Sequence, residues 1–345
     1  LQAGDRVLLR PGTYTGFSVS GKVFSGSGRA VIMSYDLLDR ALIKGNVNVS
    51  RSSYITIYGL NVESAGPVSI RGGNYIEVVG NRLTDYAGAP EGEALIFIQH
   101  SDESPLGRTI GGNLVMGNLI ADLDHGPFLN VAGAERQTYY GIKQNYTVGG
   151  YTTFRNNLIT GVADGIAPGG DEGMSPLVGL KDDDVLNTWP NREMDIYDNI
   201  IHTVSDDAIE MDGHTANARI FNNLIANAVN PMTFAPAYPG PYFAVRNHAN
   251  AYIESAVKLN TNVNGETRNV LYFHNSFKKG TSDWWTNSAI YFEIAARNRD
   301  VTLRSNIIEA IGDDQLIGAW TPTNSPCERY HMNHDYDNDL WWTPR

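Results

Sequence analysis

The chain has 345 residues, 42% of them apolar, enough to bury a continuous core. Its net charge of −12 argues against nucleic acid and anionic membrane surfaces as partners. The single cysteine, Cys327, rules out an internal disulfide and says little about compartment.

The length exceeds the usual size of one compact domain, but a solenoid grows by adding turns and escapes that limit. Residues 1–60 read as short strands. Arg6-Val7-Leu8-Leu9-Arg10 runs into a turn at Pro11-Gly12-Thr13-Tyr14, and further β-branched runs follow at Ala30 to Ser34, Ala41 to Gly45 and Tyr54 to Leu60. Gly, Ser or Asn separates them, and no amphipathic helix of useful length appears. No signal peptide, membrane span or lipidation motif is visible. The chain opens at Leu1-Gln2-Ala3-Gly4-Asp5, inside what reads as a structural unit, so a leader is expected to have been removed or to be absent.

From Gly59 a repeat emerges. A strand ends in Asn, two residues, mostly apolar, follow, then a variable turn and a second short strand. The copies begin at Asn81, Asn118, Asn157, Asn199, Asn223, Asn247, Asn275 and Asn306. A period of roughly 20–50 residues built only from strands marks a β solenoid, each turn adding one strand to several parallel sheets. The recurring Asn suits a corner, where its amide bonds to backbone and to the Asn of the next turn, and where left-handed backbone is tolerated.

This repeat, with the opening Gly4-Asp5-Arg6-Val7-Leu8-Leu9-Arg10-Pro11-Gly12-Thr13-Tyr14, resembles the right-handed parallel β-helix proteins of the pectate-lyase-like superfamily. The resemblance implies an all-β, right-handed parallel β-helix over residues 1–345 as a single domain. Residues 1–60 form the N-terminal coils, 61–319 the regular Asn-ladder coils, and 320–345 a last coil or cap. Loop insertions on one face are expected near 84–113, 167–193 and 230–242, and long loops on a rigid solenoid mark its working face. The superfamily hosts lyases, hydrolases, epimerases, esterases and adhesins, so the fold alone does not give the activity.

Aligned on the Asn, a second column appears seven or eight residues later. It reads Asp124-His125, Asp164, Asp206-Asp207, Asn230-Pro231, Glu254-Ser255 and Asp313-Asp314. Turn chemistry explains any one of these acids. It explains less well the cluster from Asp206 to His214, because stacked carboxylates repel. Strand alternation in Ala208 to Asp212 puts Ile209 and Met211 inward and Glu210 and Asp212 outward. Lys258 falls on the same face two coils on, with small Thr233 exposed between. Tyr242 and Arg246 are expected to approach from the side.

The residues define two chemical readings. Asp164, Asp206, Asp207 and Glu210 are the candidate catalytic acids, since crowded carboxyls separate into one protonated and one ionised group. Asp206-Asp207-Ala208-Ile209-Glu210 also resembles the paired-aspartate strand of polygalacturonase-type hydrolases, and Asp164-Gly165-Ile166 their upstream motif, which implies Asp164, Asp206 and Asp207 as the acid and base set. Asp212, His214, Tyr242, Arg246, Glu254 and Lys258 are the candidate substrate-binding groups. The alternative is a polysaccharide lyase acting on a uronate polymer, with Lys258 and Arg246, or His214 and Tyr242, as base and cation, and Ca²⁺ held by Asp206, Asp207 or Glu210. A third reading is a non-catalytic carbohydrate-binding surface protein using aromatic residues such as Trp284-Trp285. No cofactor is firmly implied, and no metal site is assigned. Asp335-x-Asp337-x-Asp339 lacks the full calcium-loop pattern, and Cys327, His331 and His334 near the chain end do not make a zinc site. The expected partner is a polysaccharide or oligosaccharide, without nucleic acid or membrane insertion, and the expected location is secreted, periplasmic or cell-surface. Nothing in the sequence sets the oligomeric state.

Overall fold

The structure, a computed structural model, describes residues 1–64, 66–85, 94–99, 110–122, 140–145, 149–169, 191–235, 237–259, 266–280, 288–293, 297–309, 315–320, 331–332, 335–337 and 340–342. Every strand pairing in it is parallel. Among the described residues, a 14-stranded sheet and a 19-stranded sheet run the length of the molecule, with a two-stranded piece beside them. The first sheet adds one strand per coil in chain order, from Arg6–Leu9 through Asn191–Tyr197 and Gly213–Phe221 to Arg297–Arg304. The only helical segment described is a 3-10 turn at Gly26–Gly28. The chain is a right-handed parallel β-helix, as the resemblance implies. No described helix is long and apolar enough to cross a membrane.

Alternation places one apolar side chain per coil in each inner stripe, and the stripes stack in register. Ile57, Val78, Val115, Phe154, Ile196 and Ile220 form one such stripe on the first sheet. Ile142, Ile166, Ile209, Met232 and Val257 form another on the second sheet. All are fully buried. Each contributes roughly 1.5–3 kcal/mol of apolar burial, and because neighbouring coils share the stripe the core is continuous.

The asparagine ladder is present from Asn81 to Asn306. From Asn81 to Asn275 each amide donates to the Oδ1 of the Asn on the next coil and to a backbone carbonyl. Asn223 Nδ2 reaches Asn247 Oδ1 and Ile196 O, both at 2.9 Å, and Asn223 Oδ1 accepts from the Asn199 amide side chain at 2.9 Å. The left-handed residue at this corner is not the ladder Asn but the one before it. Asn156, Asp198, Asn222, Arg246, His274 and Ser305 have φ between 53° and 56°. The ladder Asn itself continues into the strand, so its amide points inward where backbone groups need partners.

Two of the expected loops contain sheet instead. Within 84–113, Ala94–Gln99 is a strand of the second sheet, paired with Val68–Arg71 on one side and Tyr140–Asn145 on the other. Residues 230–242 carry the end of strand Leu224–Thr233, the strand Ala237–Pro239 and the start of Tyr242–Val245. Pro231 lies within the first of these strands and Pro239 ends the second, and such prolines mimic a loop in the sequence. At the C-terminus, His331–Met332, Asp335–Asp337 and Leu340–Trp342 pair with the preceding coil, so Asp335 and Asp337 lie in a strand. Most of 167–193, together with Asp124-His125, Trp284-Trp285, Asp313-Asp314, Cys327, His334 and Asp339, lies outside the described residues.

Candidate active site

The site is built by three successive strands of the second sheet and one strand before them. Ile200–Glu210 is unusually long because it continues through a bend, where Thr203 takes a left-handed φ of 57°. The coils that follow bend at the same place, at Asn227 and Ala251. The bend delivers Asp206 and Asp207 to the start of the strand's second half. Asp164 lies one coil before, Asn230 one coil after, and Ser255 two coils after.

These positions form a second ladder. Asp164 Oδ1 accepts the Asp207 backbone N–H at 2.9 Å. Asp207 Oδ1 accepts from Asn230 Nδ2 at 2.9 Å, and Asn230 Oδ1 accepts from the Ser255 hydroxyl at 2.7 Å. Asn230 Nδ2 also reaches Glu254 Oε2 at 3.3 Å. The described part of the expected column, from Asp164 to Ser255, therefore stacks, with the neutral Asn230 amide between Asp207 and Glu254. That amide donates to both carboxylates and relieves the repulsion that a continuous run of acids would carry.

Beside the ladder runs the outward stripe that contains Glu210. Glu210 pairs with Thr233, and Thr233 with Lys258. On the other side, Ala167 lies one residue beyond the Ile166–Ile209 pair, and Lys143 pairs with Ala167. Glu210 thus stands midway between two lysines, each two coils away, with a small residue on each intervening coil. Lys143 Nζ sits 3.9 Å from the centre of the Tyr140 ring. Lys258 Nζ lies 3.6 Å from Asp207 Oδ2.

One carboxylate oxygen from each of Asp207, Glu210 and Asp212 lies within 4.8 Å of the other two, and the same holds for Asp164, Asp206 and Asp207. Asp207 belongs to both groups. Glu210 and Asp212 face outward as alternation predicts, yet each is only 6% exposed. Thr233, expected to be exposed, is fully buried and donates its hydroxyl to Asp212 Oδ1 at 3.1 Å, where the Ala235 N–H also donates at 2.6 Å. Glu210 Oε2 is buried with no hydrogen-bond partner among the described residues.

Burial dominates the protonation states. It pushes Glu210 well above the usual glutamate range, and the charges of Asp164 and Asp212 push the same way, against Lys143. Burial and then the charges of Asp206 and Asp207 raise Asp164. Asp206 is raised to about 8, by loss of solvation first and by the Asp207 charge second. Its surface is exposed although atoms crowd it closely, so water offsets part of that rise while the repulsion from Asp207 persists. Burial alone would lower the Lys258 ammonium, but Asp207, Asp206, Asp212 and Glu254 outweigh it and hold it well above its ordinary value. Burial and crowding thus favour the protonated form of Asp164, Asp206 and Glu210, while Lys258 is held in its charged form beside Asp207.

Two expected members do not join this group, and the side chain of a third is not among the described ones. Tyr242 is fully buried in the core, where its hydroxyl donates to Thr215 O at 2.7 Å. Alternation in Tyr242–Val245 sends Tyr242 and Ala244 inward, so no tyrosine wall forms from Tyr242. Arg246 is the left-handed residue before ladder residue Asn247, with the whole strand His248–Tyr252 between it and Glu254. His214 begins a strand of the first sheet, and its side chain lies outside the described part. Lys143 and Asn230 were missed as site members. Asn230 stands in the aligned column but, being an amide, is not among the candidate acids, and Lys143 follows a long interval without a recognisable repeat.

No protein-family model and no curated protein matches the chain. Solved structures do match it. A Streptococcus pneumoniae surface protein and adhesin aligns with 99% of this chain and 91% of its own, at 10% identity and a TM-score of 0.61. The catalytic unit of a thermostable GH87 alpha-1,3-glucanase from Streptomyces thermodiastaticus aligns with 99% of the chain at 12% identity and a TM-score of 0.57, and the chain spans 64% of that unit. A PL6 family polysaccharide lyase from Pseudopedobacter saltans aligns with 99% of this chain and 88% of its own, at 11% identity and a TM-score of 0.55. The likeness shows a shared parallel β-helix fold. At these identities the likeness speaks to fold, and the chemistry rests on the residues above.

Proposed function

We propose that the protein is a secreted or surface-located enzyme that cleaves glycosidic bonds of a polysaccharide or oligosaccharide at this acid cluster. The observation that carries the reading is Glu210, a buried carboxyl with an unpartnered oxygen, held protonated within 4.8 Å of the ion-paired Asp207. Glycoside hydrolysis needs that pair, one carboxyl to give a proton and one carboxylate to work at the anomeric carbon. In this assignment Glu210 protonates the leaving glycosidic oxygen as the carbon–oxygen bond breaks. Asp207 supplies the negative charge, either directly to the anomeric carbon or by taking a proton from the attacking water. Asp164 fixes Asp207 through its backbone N–H, and Asp206, Asp212 and Glu254 shape the polar wall. Lys258 balances the charge of Asp207 and binds substrate oxygens. The two solved carbohydrate-active enzymes of like fold are consistent with a polysaccharide as partner.

A second reading, β-elimination on a uronate polymer, draws on Lys143 and Lys258, which flank Glu210 and would neutralise uronate carboxylates. It is weakened by the charge state of Lys258, since an ammonium held protonated does not take a proton from substrate. Any Ca²⁺ in that reading would sit among Asp207, Glu210 and Asp212, whose oxygens are close enough to share an ion.

The test is a panel of neutral and uronic polysaccharides, followed by both reducing ends and the absorbance of unsaturated uronates. New reducing ends without that absorbance are expected, and the anomer released first reports how Asp207 acts. Glu210→Gln keeps shape and should lower the rate by roughly 10²–10⁴-fold. Full activity in that variant, or products absorbing as unsaturated uronates, would remove the hydrolase assignment.

A further inference from the structure

The outward stripe that carries Glu210 does not stop at the site. Beyond Lys143 it continues in unbroken register through Phe97, Ser69, Asn48 and Ser18. Asn48, Ser69 and Phe97 each stand between two core residues, Val47 and Val49, Val68 and Ile70, and Ile96 and Ile98, so all three face outward. The next outward stripe, two residues on, pairs Ser50 with Arg71 and Arg71 with Gln99. With its amide oxygen turned towards Arg71, Gln99 accepts from Nε at 2.8 Å and from Nη2 at 3.3 Å, which fixes the guanidinium.

A pocket of about 170 Å³ opens here, with Asn48, Ser69, Arg71 and Phe97 among its walls. It is smaller than the roughly 300–1,000 Å³ that encloses a drug-sized molecule, and its size fits one sugar ring. At roughly 4.8 Å per coil, Phe97 lies about 14 Å and Asn48 about 24 Å from Glu210 along the stripe. The pocket and the acid cluster therefore share one line down the face of the solenoid. A flat aromatic side chain beside two short polar groups and a fixed guanidinium is a set suited to a pyranose, which offers an apolar ring face and a rim of hydroxyls.

We propose that this pocket is a remote sugar-binding subsite, holding one pyranose unit of a chain that runs along the helix axis to Glu210. Phe97 packs on the ring face, Asn48 and Ser69 exchange hydrogen bonds with hydroxyls, and Arg71 donates to ring-substituent oxygens. The placement of the cut bond rests on the glycosidase reading. The binding does not. Short oligosaccharides that fill the acid cluster do not reach the pocket, so it acts on long chains.

The experiment uses Glu210→Gln as the background, so that no polymer is consumed. Its migration is followed in native gels cast with each polysaccharide of the panel. At least one polymer should retard it, and Phe97→Ala and Arg71→Ala should each weaken that retardation by fivefold or more, with melting temperature unchanged. If Phe97→Ala lowers the melting temperature, Asn48→Ala takes its place. Retardation equal in all variants, or absent with every polymer, overturns the subsite. Binding that depends on Arg71 in a parent that cleaves nothing upholds the subsite and removes the glycosidase reading, so the two fail separately.

Discussion

Lys258 reaches Asp207 at 3.6 Å across the whole width of the intervening strand. The contact is made because the coil between them carries only Thr233 at the Lys258 position. A longer side chain there would fill the gap and separate the charges. The pair is unequal, with the Asp207 side chain 4% exposed and that of Lys258 22% exposed.

Removing the ammonium therefore strands a buried carboxylate. Breaking a fully buried pair costs roughly 3–5 kcal/mol, and the partial exposure of Lys258 reduces this to about 2 kcal/mol for Lys258→Met. Lys278, an exposed lysine on the strand Ser276–Lys279, is the comparison, and its change to Met should stay within about 0.5 kcal/mol. Chemical denaturation of both variants checks this. Equal losses would mean that the ion pair carries no stability.

Stability should fall as pH rises through neutrality. Asp164, Asp206 and Glu210 bind protons more tightly in the folded chain than in the unfolded one. Below about pH 4 both states are protonated and these groups contribute nothing. Above it the unfolded chain ionises freely, while the folded chain must keep its protons or accept crowded charges. The loss continues through the folded values, near 8 for Asp206. Lys258, raised in the folded state, contributes in full across this range and loses its contribution only as the pH climbs through its own elevated value. Melting temperatures should be higher at pH 5 than at pH 8, and Asp164→Asn or Glu210→Gln should each flatten the slope. A profile that rises between those values contradicts the assignment.

The ladder makes the scaffold sensitive at one atom group per coil. Asn223→Leu removes donors from Asn247 Oδ1 and Ile196 O and an acceptor from the Asn199 side chain and backbone. The groups left behind are buried, so the loss should reach about 3 kcal/mol. A variant as stable as the parent would show that the carbonyls find other partners.

The fold was legible because the asparagine ladder repeats in sequence and because parallel coils translate spacing directly into stacking. The column from Asp164 through Asp207 and Asn230 to Glu254 and Ser255 was legible for the same reason. Tyr242 was misplaced because its chemistry was weighed and its parity was not. Alternation alone sends it to the core with Ala244. Arg246 was misplaced because a charged residue next to a ladder Asn reads as functional, whereas that position is a left-handed corner. Burial of Glu210 and Asp212 was not legible at all, since alternation gives the direction of a side chain and not what packs around it.

Solenoids change length by whole coils. A coil duplicated between Asn223 and Asn247 would bring its own ladder asparagine and its own left-handed corner, and the stack would close over it without a gap. The acid cluster would not survive that event. Asp207, Asn230 and Lys258 come from three successive coils, and one added coil would carry Lys258 a further strand spacing, roughly 4.8 Å, away from Asp207. The molecule can therefore lengthen or shorten over evolutionary time at either end, but any descendant that retains this charge arrangement must inherit the interval from Asn199 to Leu259 without insertion or loss of a coil.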